Sequence, residues 1–537
     1  MRVGPAGSPD LAGADVGTRP SPRLRMGVRR AGPKPPLGLL VAAATVAAAA
    51  LLPVAYLVVR AGEGGWDQVA DVLLAESTAR LLARSVGLAA AVTAASALVG
   101  TGLAWLTVRC DLPGRRAWKV AAALPLAIPS YVGGFAYLAT FPSLTGFGGA
   151  WLTLTLLSYP YVFLPVAAAL EGLDPSLEET ARALGDTRAR AFRRVTFRQL
   201  RPAMATGSLL VALYVLSDFG AVSILRFDSF TRVIYQSYRA SFDRTPAAIL
   251  GCLLLVFTLV IVVAEGRTRG AARYHSSGAG VRRPPPVVRL GRARWPLVLV
   301  PAAVAALALA VPAATLVRWV AEGAESQLGV DRLWRATGGS LVAASLGAVA
   351  TAVASVPVAL LAARYRTRLA ATFERSAYAG HALPGIVIAL SLVFFSVRYL
   401  TSLYQRLPLL VFAYLVLFLP LAVSAAYASA VQAPPVLEEV ARSLGRRPLA
   451  AFGTVTLPLI APGAAAGAAL VFLTAMKELP ATLLLAPTGF DTLATRVWAS
   501  AQVGSYGEAA LPAAMLVLVA AVPTWALSRR IGLEANR

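Results

Sequence analysis

A polar segment that occurs twice, 260 positions apart, constrains this chain more than any other feature. The later copy reads Glu439-Val-Ala-Arg-Ser-Leu-Gly445, continues to Phe452 and Val455-Thr-Leu-Pro458, and closes at Pro462. The earlier copy reads Glu179-Thr-Ala-Arg-Ala-Leu-Gly185, followed by Phe192, Val195 and Pro202. Glutamate, glycine, phenylalanine and proline recur at one offset with no gap. Shared apolar composition cannot produce such a match, so the chain carries an internal duplication.

Each copy has the local signature of a short helix with a hard stop. Leu177, Ala181 and Leu184 fall at i, i+4 and i+7, as do Leu437, Ala441 and Leu444, which places each set on one helix face. Gly185 and Gly445 follow the last apolar residue, where a left-handed residue ends a helix. Ser176 with Glu179 reads as a capping box in the first copy. In the second copy Val436 holds that position, and the helix start rests on Pro434 and Pro435.

The remainder is too apolar for a soluble protein: mean hydropathy is +0.67, with 57% hydrophobic and 14% charged residues. Several apolar runs exceed the 18 or so residues that cross about 30 Å of hydrocarbon as a helix. An all-α integral membrane fold follows, with about twelve spans near 37–59, 85–107, 117–140, 148–170, 203–225, 247–265, 296–318, 339–362, 376–397, 408–430, 463–485 and 509–527. Residues 1–36 read as a disordered basic tail. Residues 37–265 form the first six-span domain, 266–295 a basic linker containing Pro284-Pro-Pro286, 296–530 the second six-span domain, and 531–537 a short tail.

Charge orients the chain. With the N-terminus inside, cytoplasmic segments hold 36 Lys and Arg and the opposite loops 13, with Lys477 inside a span completing the 50. That excess puts both termini and both polar loops in the cytoplasm. The net charge of +24 thus serves topology and calls for no nucleic-acid partner. Six spans per repeat make the duplication parallel, about an axis along the membrane normal. Two cysteines (Cys110, Cys252) and two histidines (His275, His381) make no metal or disulfide framework, and no P-loop motif is present. Nor is there a nucleophile–base constellation, so the chain is not read as an enzyme.

The repeated Glu-x-Ala-x-x-x-Gly, Phe and aliphatic-x-Leu-Pro-x-x-x-Pro pattern resembles the cytoplasmic coupling loop, or EAA loop, of ABC-importer permeases. The first copy departs from it at Phe197-Arg198, where the second has Leu457-Pro458. The resemblance implies that Glu179, Ala181, Gly185 and Phe192, with Glu439, Ala441, Gly445 and Phe452, meet two copies of an ATPase subunit. ATP would then be bound by those partners, and this chain would hold no cofactor. An ion-gradient-driven transporter would also explain twelve spans and parallel repeats, but gives no reason for two matched cytoplasmic helices.

Beyond each loop an acid lies within a span. Asp218 in Leu216-Ser-Asp-Phe-Gly-Ala221 aligns with Glu478 in Met476-Lys-Glu-Leu-Pro-Ala481, again 260 apart. Ionisable groups in a membrane face a bundle interior or a watery cavity, so Asp218, Glu478 and Lys477 are candidates for the substrate pathway. The alternative is a structural role in packing. Further on, Phe227-Asp-Ser-Phe-Thr-Arg-Val233 parallels Phe490-Asp-Thr-Leu-Ala-Thr-Arg-Val497 with one insertion, on the outer side. Arg232 and Arg496 there are candidates for docking a binding protein, or else belong to capped interfacial turns. Pro129 and Pro384 read as breaks in the third span of each half.

The wording of Lys477–Leu485 and Gly489–Trp498, with Asp218-Phe-Gly220, resembles the fused ferric-iron ABC permeases from residue 37 onward. That resemblance implies a multi-pass inner-membrane subunit receiving iron(III) from an extracytoplasmic binding protein. Permeases for thiamine, 2-aminoethylphosphonate, sulfate and polyamines are the related alternatives. No residue is assigned as a metal ligand from the sequence.

Overall fold

A computed structural model describes residues 35–240, 243–271, 287–322, 330–365, 367–380 and 384–534. The N-terminal tail, the Pro284–Pro286 stretch, both histidines and the last three residues lie outside the described residues. Among those described, the chain is helical, and its one extended pairing is a single parallel bridge between Cys110 and Val288.

Among the described residues, nine helices are long and apolar enough to cross a membrane: Leu37–Gly62, Glu76–Arg109, Gly146–Glu171, Arg188–Ser217, Thr245–Ala264, Gly291–Glu322, Asp331–Arg364, Leu407–Gln432 and Pro448–Met476. A tenth comes from Arg115–Ala127 and Ser130–Thr140, two halves bent by 97°. The other two segments of the expected twelve fall on shorter apolar helices, Gly385–Tyr399 and Tyr506–Ala521. Pro129 lies at the 97° break: it holds Ile128 extended and cannot continue the hydrogen-bond ladder. Pro384 stands at the equivalent place, immediately before Gly385–Tyr399.

The spans expected at 203–225 and 463–485 do not run through. The first stops at Ser217, where Asp218 takes an extended conformation, and resumes as Gly220–Ile224. The second stops at Met476 and resumes as Pro480–Leu485. Apolar periodicity continues across both breaks, which is why hydropathy alone reads them as continuous.

The halves exchange their first spans. Leu37–Gly62 packs on the second half, where the Ser391 hydroxyl donates to the Pro53 carbonyl at 2.6 Å. Gly291–Glu322 packs on the first half, where the Tyr137 hydroxyl donates to the Leu307 carbonyl at 2.5 Å and Thr140 bonds to Thr315. The two acceptor carbonyls belong to helices already perturbed, by Pro53 within one and by a π-turn over Ala306–Ala310 in the other. The linker's far end returns to the first half as well. The Val288 amide donates to the Arg109 carbonyl at 2.7 Å, and the Leu290 amide to the Asp111 carboxylate at 2.7 Å.

Candidate functional site: coupling helices and an interfacial cavity

The polar repeats form helices Pro175–Ala183 and Pro435–Ser443. Gly185 and Gly445 have φ of +94° and +86°, the left-handed conformation that ends a helix at little cost only for glycine. In both copies the next amide closes the turn, Asp186 onto the Ala181 carbonyl and Arg446 onto that of Ala441. The expected Ser176 capping box is not formed. Asp174 is the N-cap and accepts the Ser176 amide at 2.9 Å, with Pro175 opening the helix. That bond holds the Asp174 carboxyl below its ordinary range.

Glu179 and Glu439 are exposed, whereas the neighbouring Glu178 and Glu438 turn inward. Glu178 meets Arg109, the last residue of its span, at 2.6 Å, and accepts the Thr196 hydroxyl at 3.2 Å. Glu438 meets Arg364, likewise the last residue of its span, at 2.6 Å, and accepts the Thr456 hydroxyl at 2.6 Å. Arg109 is only 3% exposed, so the pair is shielded from water and salt. Burial alone would raise the Glu438 pKa, but the bonds from Thr456 and Arg364 outweigh it and hold the carboxyl below its ordinary range. Glu178 and Glu438 are not among the residues that the repeat motif singles out. The available signal was the doubled glutamate in each copy, with an arginine closing the corresponding span.

Phe192 and Phe452 each open a π-turn that joins the coupling helix to the next span. Phe192 packs edge-on against Trp105, with ring centroids 6.0 Å apart, and Phe452 joins a cluster with Leu360, Ala430 and Ile460. Both phenylalanines therefore fasten the loop to its own half. Ala441 is buried and Ala181 half-buried, while the tip leucines Leu184 and Leu444 are 84% and 79% exposed.

At the other end of the same spans, Asp218 and Glu478 sit at the helix breaks. Asp218 accepts the Val222 amide at 3.2 Å and Glu478 the Ala481 amide at 3.0 Å, so each carboxylate caps the short helix after its break. Both acids line one cavity of about 250 Å³ between the halves, together with Lys477, Ser130, Tyr131, Tyr161 and Tyr214. The Lys477 ammonium crosses to the first half and donates to the Leu126 carbonyl at 3.2 Å. The three intramembrane candidates are thus brought together, and a structural role for the acids as caps is on view alongside.

A second cavity, of about 430 Å³, lies further along the chain path from the coupling helices. Its lining includes Ser223, Arg226, Arg232, Tyr235, Trp498 and Tyr506. Phe219, which lines the inner cavity, packs on Trp498 and Tyr235 of the outer one at 4.9 and 5.0 Å between ring centroids. This aromatic contact joins the linings of the two cavities. Arg232 pairs with Asp228 one turn earlier, and Arg496 with Asp491 at 3.2 Å. Their charges are answered locally, as in a capped turn.

Comparison with known proteins places this geometry. The family described as binding-protein-dependent transport system inner membrane component matches residues 96–266 and again 355–529, one match per half. The Fe(3+)-transport system permease protein FbpB 2 of Haemophilus influenzae is 37% identical over 499 residues, covering 92% of this chain and 99% of the relative. The sulfate transport system permease protein CysT of Salmonella typhimurium is 29% identical over 235 residues, 40% of this chain and 84% of the relative. A transport subunit working with an ATPase and a substrate-binding protein accounts for the two exposed repeat helices and the interfacial cavities. The chain belongs to the binding-protein-dependent transport system inner membrane components, as a fused, multi-pass, two-domain ABC permease rather than an enzyme.

Proposed function

We propose that the chain translocates iron(III) delivered by an extracytoplasmic binding protein. The observation that carries this reading is the similarity to the Fe(3+)-transport permease, which runs through both halves and nearly the whole of each chain. The sulfate permease relatives match 30–40% of this chain. Two acids in a cavity at the interface also favour a cationic cargo over an oxyanion.

In this reading ATP binds to two copies of the ATPase, one under each coupling helix, and this chain holds no cofactor. The exposed Glu179, Glu439, Leu184 and Leu444 support such docking, because nothing among the described residues covers them. Both termini face the cytoplasm, as the Lys and Arg asymmetry supports. The two six-span domains are 37–265 and 296–530. The binding protein seats on the outer face around Arg232 and Arg496, and Asp218, Glu478 and Lys477 line the pathway. ATP-driven closure of the ATPase pair moves the coupling helices, and the Arg109–Glu178 and Arg364–Glu438 pairs carry that motion into the spans.

Uptake of labelled ferric iron by cells with and without this chain tests the reading, with unlabelled sulfate, thiamine and spermidine as competitors. Chain-dependent uptake that no competitor reduces supports it. Iron uptake that persists fully without the chain overturns it.

A further inference from the structure

The inner cavity contains one polar group that neither helix capping nor the family match explains. Tyr131 is only 2% exposed and lines this cavity, yet among the described residues its hydroxyl has no hydrogen-bond partner. A buried hydroxyl left unsatisfied costs about 1–3 kcal/mol, so such groups generally have a use. Glu478 lines the same cavity. The backbone positions the ring: a Cβ on Gly220 would lie 2.8 Å from the Tyr131 Cβ, so only glycine there lets Tyr131 stand where it does.

The two acids are accommodated by matching adjustments in the two halves. In the second half a Cβ on Gly385 would lie 2.8 Å from Glu478 Oε1, so glycine makes room for the longer carboxylate arm. In the first half Ser130 follows Pro129 as Gly385 follows Pro384, and its hydroxyl bonds to the shorter Asp218. Each capping bond engages one oxygen of its carboxylate, Oδ2 of Asp218 and Oε1 of Glu478. Lys477 donates to the Leu126 carbonyl and forms no ion pair with either acid among the described residues.

Resting on the iron(III) reading above, we propose that Tyr131, Asp218 and Glu478 form an oxygen-donor transit site for the ferric ion. Two carboxylates and a phenol are hard oxygen ligands, drawn from both halves of the duplication and fitted to a hard trivalent cation. Among the described residues no three His, Cys, Asp or Glu side chains gather, so the phenol is what raises the cluster from two donors to three. On binding, an iron–oxygen bond forms as the Tyr131 O–H bond breaks, and the proton passes to water in the cavity. On release the phenolate takes a proton back from water, and iron remains in the +3 state throughout. Three donors, rather than a full cage, suit a site that must let its ion go.

The test uses the purified full chain in lipid nanodiscs, titrated with iron(III) nitrilotriacetate, with the iron-free chelator as blank. The readout is the visible charge-transfer absorption of an iron(III)–phenolate. The wild type gains this band, and Tyr131→Phe, which keeps the ring, lacks it. Tyr159→Phe removes another partnerless buried hydroxyl that does not line the cavity, and keeps the band. Asp218→Asn and Glu478→Gln weaken apparent iron affinity about tenfold each. No band in the wild type, or an equal band in Tyr131→Phe, overturns the site. Iron uptake by cells separates the two claims. If the chain supports uptake and the band does not depend on Tyr131, the site alone falls. If the chain supports no uptake, the iron reading falls with it.

Discussion

The guanidinium of Arg109 and the carboxylate of Glu178 meet at 2.6 Å beneath the first half, and Arg364 meets Glu438 at the same distance beneath the second. Each arginine is the last residue of a long span, and each glutamate lies in the first turn of a coupling helix. A rod ending in a buried charge is thereby fixed to the exposed helix of its repeat. Arg109→Ala leaves Glu178 without its counter-charge, a loss of about 3 kcal/mol for a buried pair. Arg364→Ala costs less, because that pair is more exposed. A double-mutant cycle of Arg109→Ala with Glu178→Ala, read by thermal unfolding in detergent, returns a coupling energy in that direction. Strict additivity would show that the pair transmits nothing.

The second pair also sets a pH dependence. Glu438 titrates below its ordinary value of 4.5 in the folded chain, so its contribution is fully present above that value and is lost as pH falls through the lower folded value. Protease sensitivity of the second coupling loop is therefore flat from pH 7 to about 5 and rises only at more acid pH. Glu438→Gln removes that step, which limited proteolysis across the acid range measures directly.

Phe219 and Trp498 stack where the lining of one cavity meets that of the other. Phe219→Ala joins the two spaces, since alanine leaves the ring's volume empty. A Ser130→Cys reporter, in a chain with Cys110 and Cys252 replaced, is then labelled by an impermeant thiol reagent added from outside. The same reporter behind an intact Phe219 labels at least about tenfold more slowly.

Much of the arrangement was legible in the sequence, because a gapless polar repeat carries its own register. The helix stop at Gly185 and Gly445 followed from the glycine position, and the breaks at Pro129 and Pro384 from the missing amide of proline. The alignment of Asp218 with Glu478 located the inner cavity. Three features escaped for physical reasons. Asp174 displaced Ser176 as the cap because Pro175 fixes where the helix begins. The inward turn of Glu178 depends on Arg109, which is 69 residues away and carries no local signal. Tyr131 looks like any aromatic in an apolar span until packing leaves its hydroxyl without a partner.

The left-handed turns fix the angle at which each coupling helix leaves its loop. Alanine at Gly185 or Gly445 costs about 1–2 kcal/mol for adopting positive φ, enough to shift the turn while leaving the buried spans in place. The most direct test of the central claim is iron(III) accumulated per ATP hydrolysed in proteoliposomes holding the chain, its ATPase and its binding protein. The Gly185→Ala/Gly445→Ala variant should retain ATP hydrolysis and lose most of the accumulation. Accumulation per ATP equal to that of the wild type would contradict the account.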